Sequence, residues 1–146
     1  MFRTAGIDDV AQLRQLAHEA EQHWGFDDGF MEKFDRDFNI TADFVREHPV
    51  RVLADGEPVA FWGMLPCDGA WELEYFYVAE RAIGKGYGRR LWQDLTGWCA
   101  ANGVVSFGFV TSWQAVPFYE KMGASIVGEC RSSIDGRPIP RLKFEL

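Results

Sequence analysis

The chain has too little positive charge for a protein that binds nucleic acid. Its 146 residues include 15 lysines and arginines against 22 aspartates and glutamates, a formal net charge of −7. Binding DNA or RNA through the phosphates requires a basic face, so we expect no nucleic-acid partner. An acidic groove would instead attract cationic ligands such as amines, although an ordinary acidic surface is the simpler explanation of the charge alone.

Cysteine is also scarce. Cys67, Cys99 and Cys130 lie far apart, their number is odd, and no pair has the spacing of a metal site or a CxxC motif. We interpret them as reduced and mostly buried, as in a cytoplasmic protein. The three histidines share no spacing either, so we expect no bound metal and assign the histidines no catalytic role.

Long apolar runs are missing. No window approaches the roughly 18 apolar residues that mark a transmembrane helix. The N-terminal stretch MFRTAGIDDV carries charge early and has no long apolar segment, unlike a signal peptide. We therefore expect a cytoplasmic protein with no membrane partner.

Apolar residues, by contrast, are plentiful. They make up 47% of the chain, and 15% of the residues are aromatic, including six tryptophans. A chain of this length suits one domain, which can bury about two-thirds of its unfolded surface. We expect residues 1–146 to form a single domain with a core or groove lined by large rings. Exposed tryptophans would mark the face of a homodimer, which the sequence leaves open.

Hydrophobic periodicity predicts an α/β (α+β) protein. Helical spacing marks four segments, the second less regular and typical of one or two short helices: IDDVAQLRQLAHEAEQHW with Asp8 as N-cap, GFDDGFMEKFDRDFNITADFVREHP, LWQDLTGWCAANG and SWQAVPFYEKMGA. Between them lie about seven predicted strands, with hairpin turns at Asp55-Gly56 and Asp135-Gly136. The order β-α-α-β-β-β-α-β-α-β-β needs both crossovers and hairpins, so we expect a mixed, mostly antiparallel sheet.

The stretch GKGYGRR, residues 84–90, joins a predicted strand to a predicted helix. Glycines let the main chain turn its N–H groups toward an anion, and a helix N-terminus adds the positive end of its dipole. A single glycine would suffice for a flexible turn, whereas three at alternate positions favour a phosphate site. The spacing fits neither a P-loop nor a dinucleotide-binding GxGxxG motif.

This region resembles the pyrophosphate loop of the GNAT acetyltransferase superfamily, Val-x-Pro-x-x-Arg-Gly-x-Gly-x-Gly-x-x-Leu. The matching residues are Val78, Gly84, Gly86, Gly88 and Leu91. Two positions depart from the pattern: Glu80 stands where proline is common, and Ile83 stands where the family usually has arginine or glutamine.

A second segment, SWQAVPFYEKMGA at 112–124, is similar to the family pattern Asn-x-x-Ala-x-x-Phe-Tyr-Glu-Lys-x-Gly-Phe. The matching residues are Ala115, Phe118, Tyr119, Glu120, Lys121 and Gly123. Ser112 replaces the usual asparagine and Ala124 the usual phenylalanine. The two motifs occur in the family's order and at its separation.

The resemblance implies the acyl-CoA N-acyltransferase fold and an acetyl-CoA-dependent N-acetyltransferase. Such an enzyme moves the acetyl group directly to an amine acceptor through a tetrahedral intermediate, with acetyl-CoA as cosubstrate. The residues it implies for binding the cofactor are Phe76, Tyr77, Val78, Ile83, Gly84, Lys85, Gly86, Tyr87, Gly88, Arg89 and Ser112. Because of the departures at Ile83 and Ser112, a non-catalytic CoA-binding regulatory module remains the alternative.

Three residues are candidates for catalysis by this resemblance. Glu74, and after it Glu72, lies on the strand that supplies the general base in relatives, and a regular strand puts both on one face. Tyr119 matches the tyrosine that protonates the departing thiolate. A surface pair of glutamates and a packed tyrosine are the structural alternatives.

The acceptor site is the least constrained part of the prediction. In this fold the segment after the first helix roofs that site, and here the segment mixes aromatic residues with five acids, Asp27, Asp28, Glu32, Asp35 and Asp37. An acidic, aromatic roof would suit a cationic amine. An amphipathic helix with its charges in water explains the same pattern.

Overall fold

The computed structural model describes all 146 residues. Its helices are α1 Val10–Gln22, α2 Asp28–Asp37, α3 Ala42–Glu47, α4 Tyr87–Ala101 and α5 Val116–Lys121. Its strands are β1 Phe2–Thr4, β2 Val50–Asp55, β3 Glu57–Cys67, β4 Ala70–Val78, β5 Ser106–Val110, β6 Ser125–Arg131 and β7 Pro138–Glu145. The element order agrees with the sequence prediction, and the segment before β2, predicted as one or two short helices, forms two.

All seven strands form one mixed sheet in the order β1-β2-β3-β4-β5-β7-β6. Five neighbouring pairs are antiparallel, and only β4 and β5 run parallel. The Asp55-Gly56 turn joins β2 to β3 as predicted, with Gly56 at a φ of +75°, which glycine adopts without strain. The predicted mixed, mostly antiparallel sheet of about seven strands is therefore confirmed.

Helices cover both faces of the sheet. Phe61 and Trp62 are neighbours in β3, so their side chains point to opposite faces, and both are fully buried. The Trp62 ring packs on Trp98 of α4, and its N–H donates to Asp94 at 2.9 Å. On the other face, the Phe61 ring lies beside Tyr77, which contacts Phe34 of α2. Because both faces are covered, β3 is one long apolar run.

The helical segment before β2 divides at a buried polar residue. Asn39, which is 3% exposed, donates from its side chain to the Arg14 carbonyl and the Asp35 carboxylate and accepts from the Ile40 amide. These bonds satisfy buried polar groups in the short connection between α2 and α3. The hydroxyl of Thr41 then caps α3.

Two local expectations are wrong. Asp8 is exposed and caps no helix, because a short 3-10 turn at Ile7–Asp9 precedes α1. Of the cysteines, only Cys99 is buried, and burial raises the pKa of its thiol to about 11, whereas Cys67 is exposed. No helix combines the length and apolar character needed to cross a bilayer.

Trp92 of α4 lies at the centre of an aromatic cluster. It is 4% exposed, and its ring centroid is 5.1–6.3 Å from five others, those of Phe76, Phe107, Phe109, Tyr119 and Phe144. These rings come from β4, β5, α5 and β7. The cluster therefore joins the two parts of the sheet through side chains.

Candidate functional site

The sheet opens between its two parallel strands. β4 and β5 share a single registered pair, Glu72 with Gly108. Beyond that pair the strands diverge, so β4 from Leu73 to Val78 is paired only with β3. The divergence leaves a cleft whose walls carry unpaired main chain, which can bind an extended ligand as a strand edge does.

A β-bulge lies at the point where the cleft begins. Gly63 pairs with Tyr75 and Met64 pairs with Leu73, so Glu74 is the extra residue without a partner on β3. A bulge re-aims the side chain of its extra residue. The strand is therefore not regular here. The sequence predicts that Glu72 and Glu74 share one face of a regular strand, but the bulge gives their side chains different surroundings.

A cavity of about 780 Å³ fills the cleft. Ten of the eleven residues expected to bind cofactor line it, and Lys85 is the exception. Glu74 and Tyr119 line the same cavity, whereas Glu72 does not. The two motifs recognised in the sequence thus meet at one concave site.

Main-chain amides are unsatisfied at the N-terminus of α4. The N–H groups of residues 84–89 donate to no acceptor in the protein, and the first amide bonded in this helix is that of Arg90, at 3.2 Å from the Gly86 carbonyl. Gly84 and Gly86 have φ near +83° and +82°, and a Cβ added at either would meet only open space. Consecutive free amides around left-handed glycines form a concave nest for an anion.

Gly88, the third glycine of the stretch, has a packing role. A Cβ added to Gly88 would lie 3.0 Å from the Phe118 ring. Gly88 therefore allows α5 to approach the first turn of α4. Of the three alternating glycines, two therefore form the open anion nest and the third permits close contact between two helices.

The environment of Glu74 suits a base. Its side chain reaches solvent through the cavity, but the surrounding walls remove enough water to raise the pKa of the carboxyl. The neighbouring charge of Glu72 raises the pKa of Glu74 further. A carboxylate with a raised pKa binds a proton more readily near neutral pH.

Glu72 is engaged elsewhere. Both of its carboxylate oxygens accept from the guanidinium of Arg141, at 2.6 and 2.9 Å. This bidentate pair ties β4 to β7 across β5 and occupies the lone pairs that a base would need.

Tyr119 is a buried phenol among aromatic rings. It is 7% exposed and packs on Phe109 at 4.7 Å between ring centroids. Burial, and after it the charge of Glu21, raise the pKa of Tyr119 well above its ordinary value. Its hydroxyl therefore keeps its proton at neutral pH and can donate a hydrogen bond into the cavity.

The roof over one end of the cavity is aromatic and not acidic. Phe30, Phe34 and Phe38 of the α2 segment line the cavity, and none of the five acids predicted for the roof does. Asp27 instead caps α2 through the Phe30 amide, and Asp35 bonds His18 and Asn39. Tyr75 donates to the Phe38 carbonyl at 3.1 Å, which fixes this roof next to the bulge at Glu74.

Charged groups at the roof end come from residues that the sequence analysis missed. Glu21 of α1 and Arg137, in the loop between β6 and β7, both line the cavity. Burial raises the pKa of Glu21, which lies beside the Tyr77 hydroxyl and within the field of Arg137. Glu21 is detectable in sequence because it lies one turn after Ala17 in the buried stripe of α1. Arg137 carries no local signal.

Comparisons with known proteins agree with this architecture. A family model described as the acetyltransferase (GNAT) family matches residues 9–124. The search of curated proteins gave no match. Among solved structures, PaiA N-acetyltransferase from Thermoplasma acidophilum, in complex with coenzyme A, has a TM-score of 0.84 at 15% identity, covering 100% of this chain and 98% of its own.

Two further structures share the fold. A GCN5-related N-acetyltransferase from Rhodopseudomonas palustris has a TM-score of 0.79 at 18% identity, covering 100% of this chain and 95% of its own. The ribosomal-protein-S18-alanine N-acetyltransferase from Escherichia coli has a TM-score of 0.73 at 14% identity, covering 99% and 92%. At these identities the likeness is one of fold, and it confirms the predicted acyl-CoA N-acyltransferase fold.

Proposed function

The chain belongs to the acetyltransferase (GNAT) family, and from that membership we propose that it moves an acetyl group from acetyl-CoA to the nitrogen of an amine acceptor. The observation that carries this proposal is the run of free amides at residues 84–89, which opens into the same cavity as Glu74 and Tyr119. Anion binding and proton transfer are thereby available within one cleft.

Coenzyme A suits the chemistry of this cleft. The amide nest around Gly84 and Gly86 would hold the diphosphate, and Arg89 and Lys121, which also line the cavity, add positive charge. The unpaired main chain of Phe76, Tyr77 and Val78 would bind the amide groups of the pantetheine arm. The PaiA relative was solved with coenzyme A bound. When bound, acetyl-CoA supplies the activated acetyl thioester.

Two side chains would move protons. Glu74 accepts a proton from the acceptor ammonium, because only a neutral amine can attack a carbonyl carbon. Tyr119 donates its proton, or a hydrogen bond, to the sulfur that leaves. Glu74 is exposed in the cavity, where an acceptor would lie, and Tyr119 lies among rings that keep its hydroxyl protonated.

A direct test combines binding with turnover. Coenzyme A at about 100 times its dissociation constant should stabilise the protein by about 2.7 kcal/mol, measured as a thermal shift. Incubation with acetyl-CoA and pooled amines should then release free thiol and give acetylated amines by mass spectrometry. Because Cys67 is exposed, the thiol assay needs an enzyme-only control. A thermal shift without any acetylated product would favour the regulatory CoA-binding module.

Replacing Tyr119 with phenylalanine tests the proton donor. The ring and its packing on Phe109 stay, and only the hydroxyl is lost. We expect kcat to fall by about 10- to 100-fold, as for a lost hydrogen bond to a charged sulfur, while the dissociation constant of acetyl-CoA changes less than about threefold. Steady-state kinetics and calorimetry measure the two quantities separately. Unchanged turnover would mean that Tyr119 is a packing residue.

A further inference from the structure

Arg137 presents an unused guanidinium at the roof end of the cavity. No nitrogen of its side chain donates a hydrogen bond within the protein, and Nε is buried without a partner. A guanidinium has five N–H donors, and a buried donor that stays unpaired costs about 1–3 kcal/mol. The side chain as a whole is 36% exposed, so its free terminal N–H groups can meet a ligand acceptor.

Three other arginines show how this side chain binds a carboxylate that lies within reach. Arg51 donates twice to Asp94, at 2.9 and 3.1 Å, and Arg141 donates twice to Glu72. Arg3 makes the same fork with Asp9. Each of these guanidinium groups holds one carboxylate with two parallel bonds, the geometry that the planar fork prefers.

Arg137 is held in place although its donors are free. Its guanidinium carbon lies 4.2 Å from the centroid of the Phe26 ring, which itself stacks on Phe30. Its loop is closed by bonds from the Ser132 amide to the Arg137 carbonyl and from the Arg131 side chain to the Gly136 carbonyl. The stack and the closed loop position the donors before a ligand arrives, which lowers the entropy lost on binding.

The carboxylates of the protein itself compensate Arg137 only weakly. The nearest Asp135 oxygen lies 3.7 Å from Nε, an ion pair beyond hydrogen-bond distance. Glu21 contributes its field from the cavity wall but makes no hydrogen bond to Arg137. Neither group satisfies the fork, so the strong bidentate position remains free.

We propose that Arg137 binds a carboxylate on the acceptor, which makes the acceptor an amino acid or short peptide with an apolar or aromatic body. This inference rests on the proposed acetyl transfer. The reacting amine lies toward Glu74, the carboxylate pairs with Arg137, and the apolar part packs on Phe30, Phe34 and Phe38. Arg137 acts as a specificity residue, since it is placed at the roof and takes no part in proton transfer.

Matched ligand pairs test the carboxylate directly. The pairs are L-phenylalanine and its amide, phenylalanylglycine and its amide, and 4-(aminomethyl)benzoate and its amide. Each pair keeps size and amine and removes only the anion, and the three differ in the distance from amine to carboxylate. Calorimetry in the presence of coenzyme A should show the carboxylate of at least one pair binding about 10- to 100-fold tighter than its amide.

Variants then assign the preference to Arg137. In Arg137→Met the preference should vanish, in Arg137→Lys it should be reduced because the fork is lost but the charge stays, and in Arg46→Met it should be unchanged. Arg46 lies on α3 and pairs with Asp43 outside the cavity. No preference in any pair, or a preference that survives in Arg137→Met, overturns the inference. Thiol release with amines that lack a carboxylate would leave the proposed acetyl transfer standing in either case.

Discussion

Replacing Glu74 with glutamine should lower kcat by about 10²- to 10⁴-fold, the usual contribution of a positioned general base. Glutamine keeps the size and the polarity of the side chain, so the bulge in β4 and the cavity should persist. What is lost is the only function proposed for this carboxylate, which is to accept a proton from the acceptor ammonium. Steady-state kinetics with a saturating acceptor measure the change.

The pH profile gives this prediction a second readout. The pKa of Glu74 is raised by burial and by Glu72, so the protonated, inactive form persists to higher pH than for an ordinary glutamate. The wild-type kcat should fall as the pH is lowered through this raised pKa. In Glu74→Gln the acid limb should disappear. The same limb in the variant would assign the titration to another group.

Glu129→Gln is the matched control for the charge change. Glu129 is an exposed residue of the edge strand β6 and lines no part of the cavity. Its kcat and pH profile should equal those of the wild type. Glu72→Gln is a poorer control because it breaks the bidentate pair with Arg141 and so perturbs the sheet.

Replacing Trp92 with alanine should destabilise the protein by about 3–5 kcal/mol. The indole is 4% exposed and touches rings on four different elements, so the cavity left behind cannot collapse from one side. Since a domain is typically stable by only about 5–15 kcal/mol, this one change removes a large share. Urea unfolding followed by circular dichroism measures the loss.

Trp113→Ala is the control that shows whether the loss of stability at Trp92 comes from its burial or from removing any tryptophan. Trp113 is 48% exposed, and its N–H donates to the Pro138 carbonyl at 3.1 Å. We expect a loss of about 1 kcal/mol or less, since little apolar area leaves water there. Equal losses at Trp92 and Trp113 would contradict a cluster that joins the sheet.

Local pattern in the sequence was sufficient for the order of elements. The stripe of Leu13, Leu16 and Ala17 predicted α1, and these three residues are buried. The Asp55-Gly56 pair predicted a hairpin that the structure contains. These features depend on neighbours within about four positions, which a single sequence displays.

Features that depend on distant residues were not predictable. Glu72 and Arg141 are 69 residues apart, and nothing near Glu72 shows that its carboxylate is occupied. The acids of the α2 segment looked like ligand groups, yet Asp27 is a cap and Asp35 bonds a buried asparagine. Arg137 was missed for the same reason: its role depends on a stack with Phe26, far away in the chain.

Because β4 and β5 share only one registered pair, the two half-sheets, β1 to β4 and β5 to β7, are held together mainly by side chains. The main-chain hydrogen bonds of an ordinary ladder do not depend on the identity of the side chains, proline excepted. Here rings such as Trp92 and Phe76 provide the cohesion, and exchanging one ring for another of different size would widen or narrow the gap. The width of the cleft can therefore be tuned one aromatic residue at a time, as each change shifts the two half-sheets slightly relative to each other.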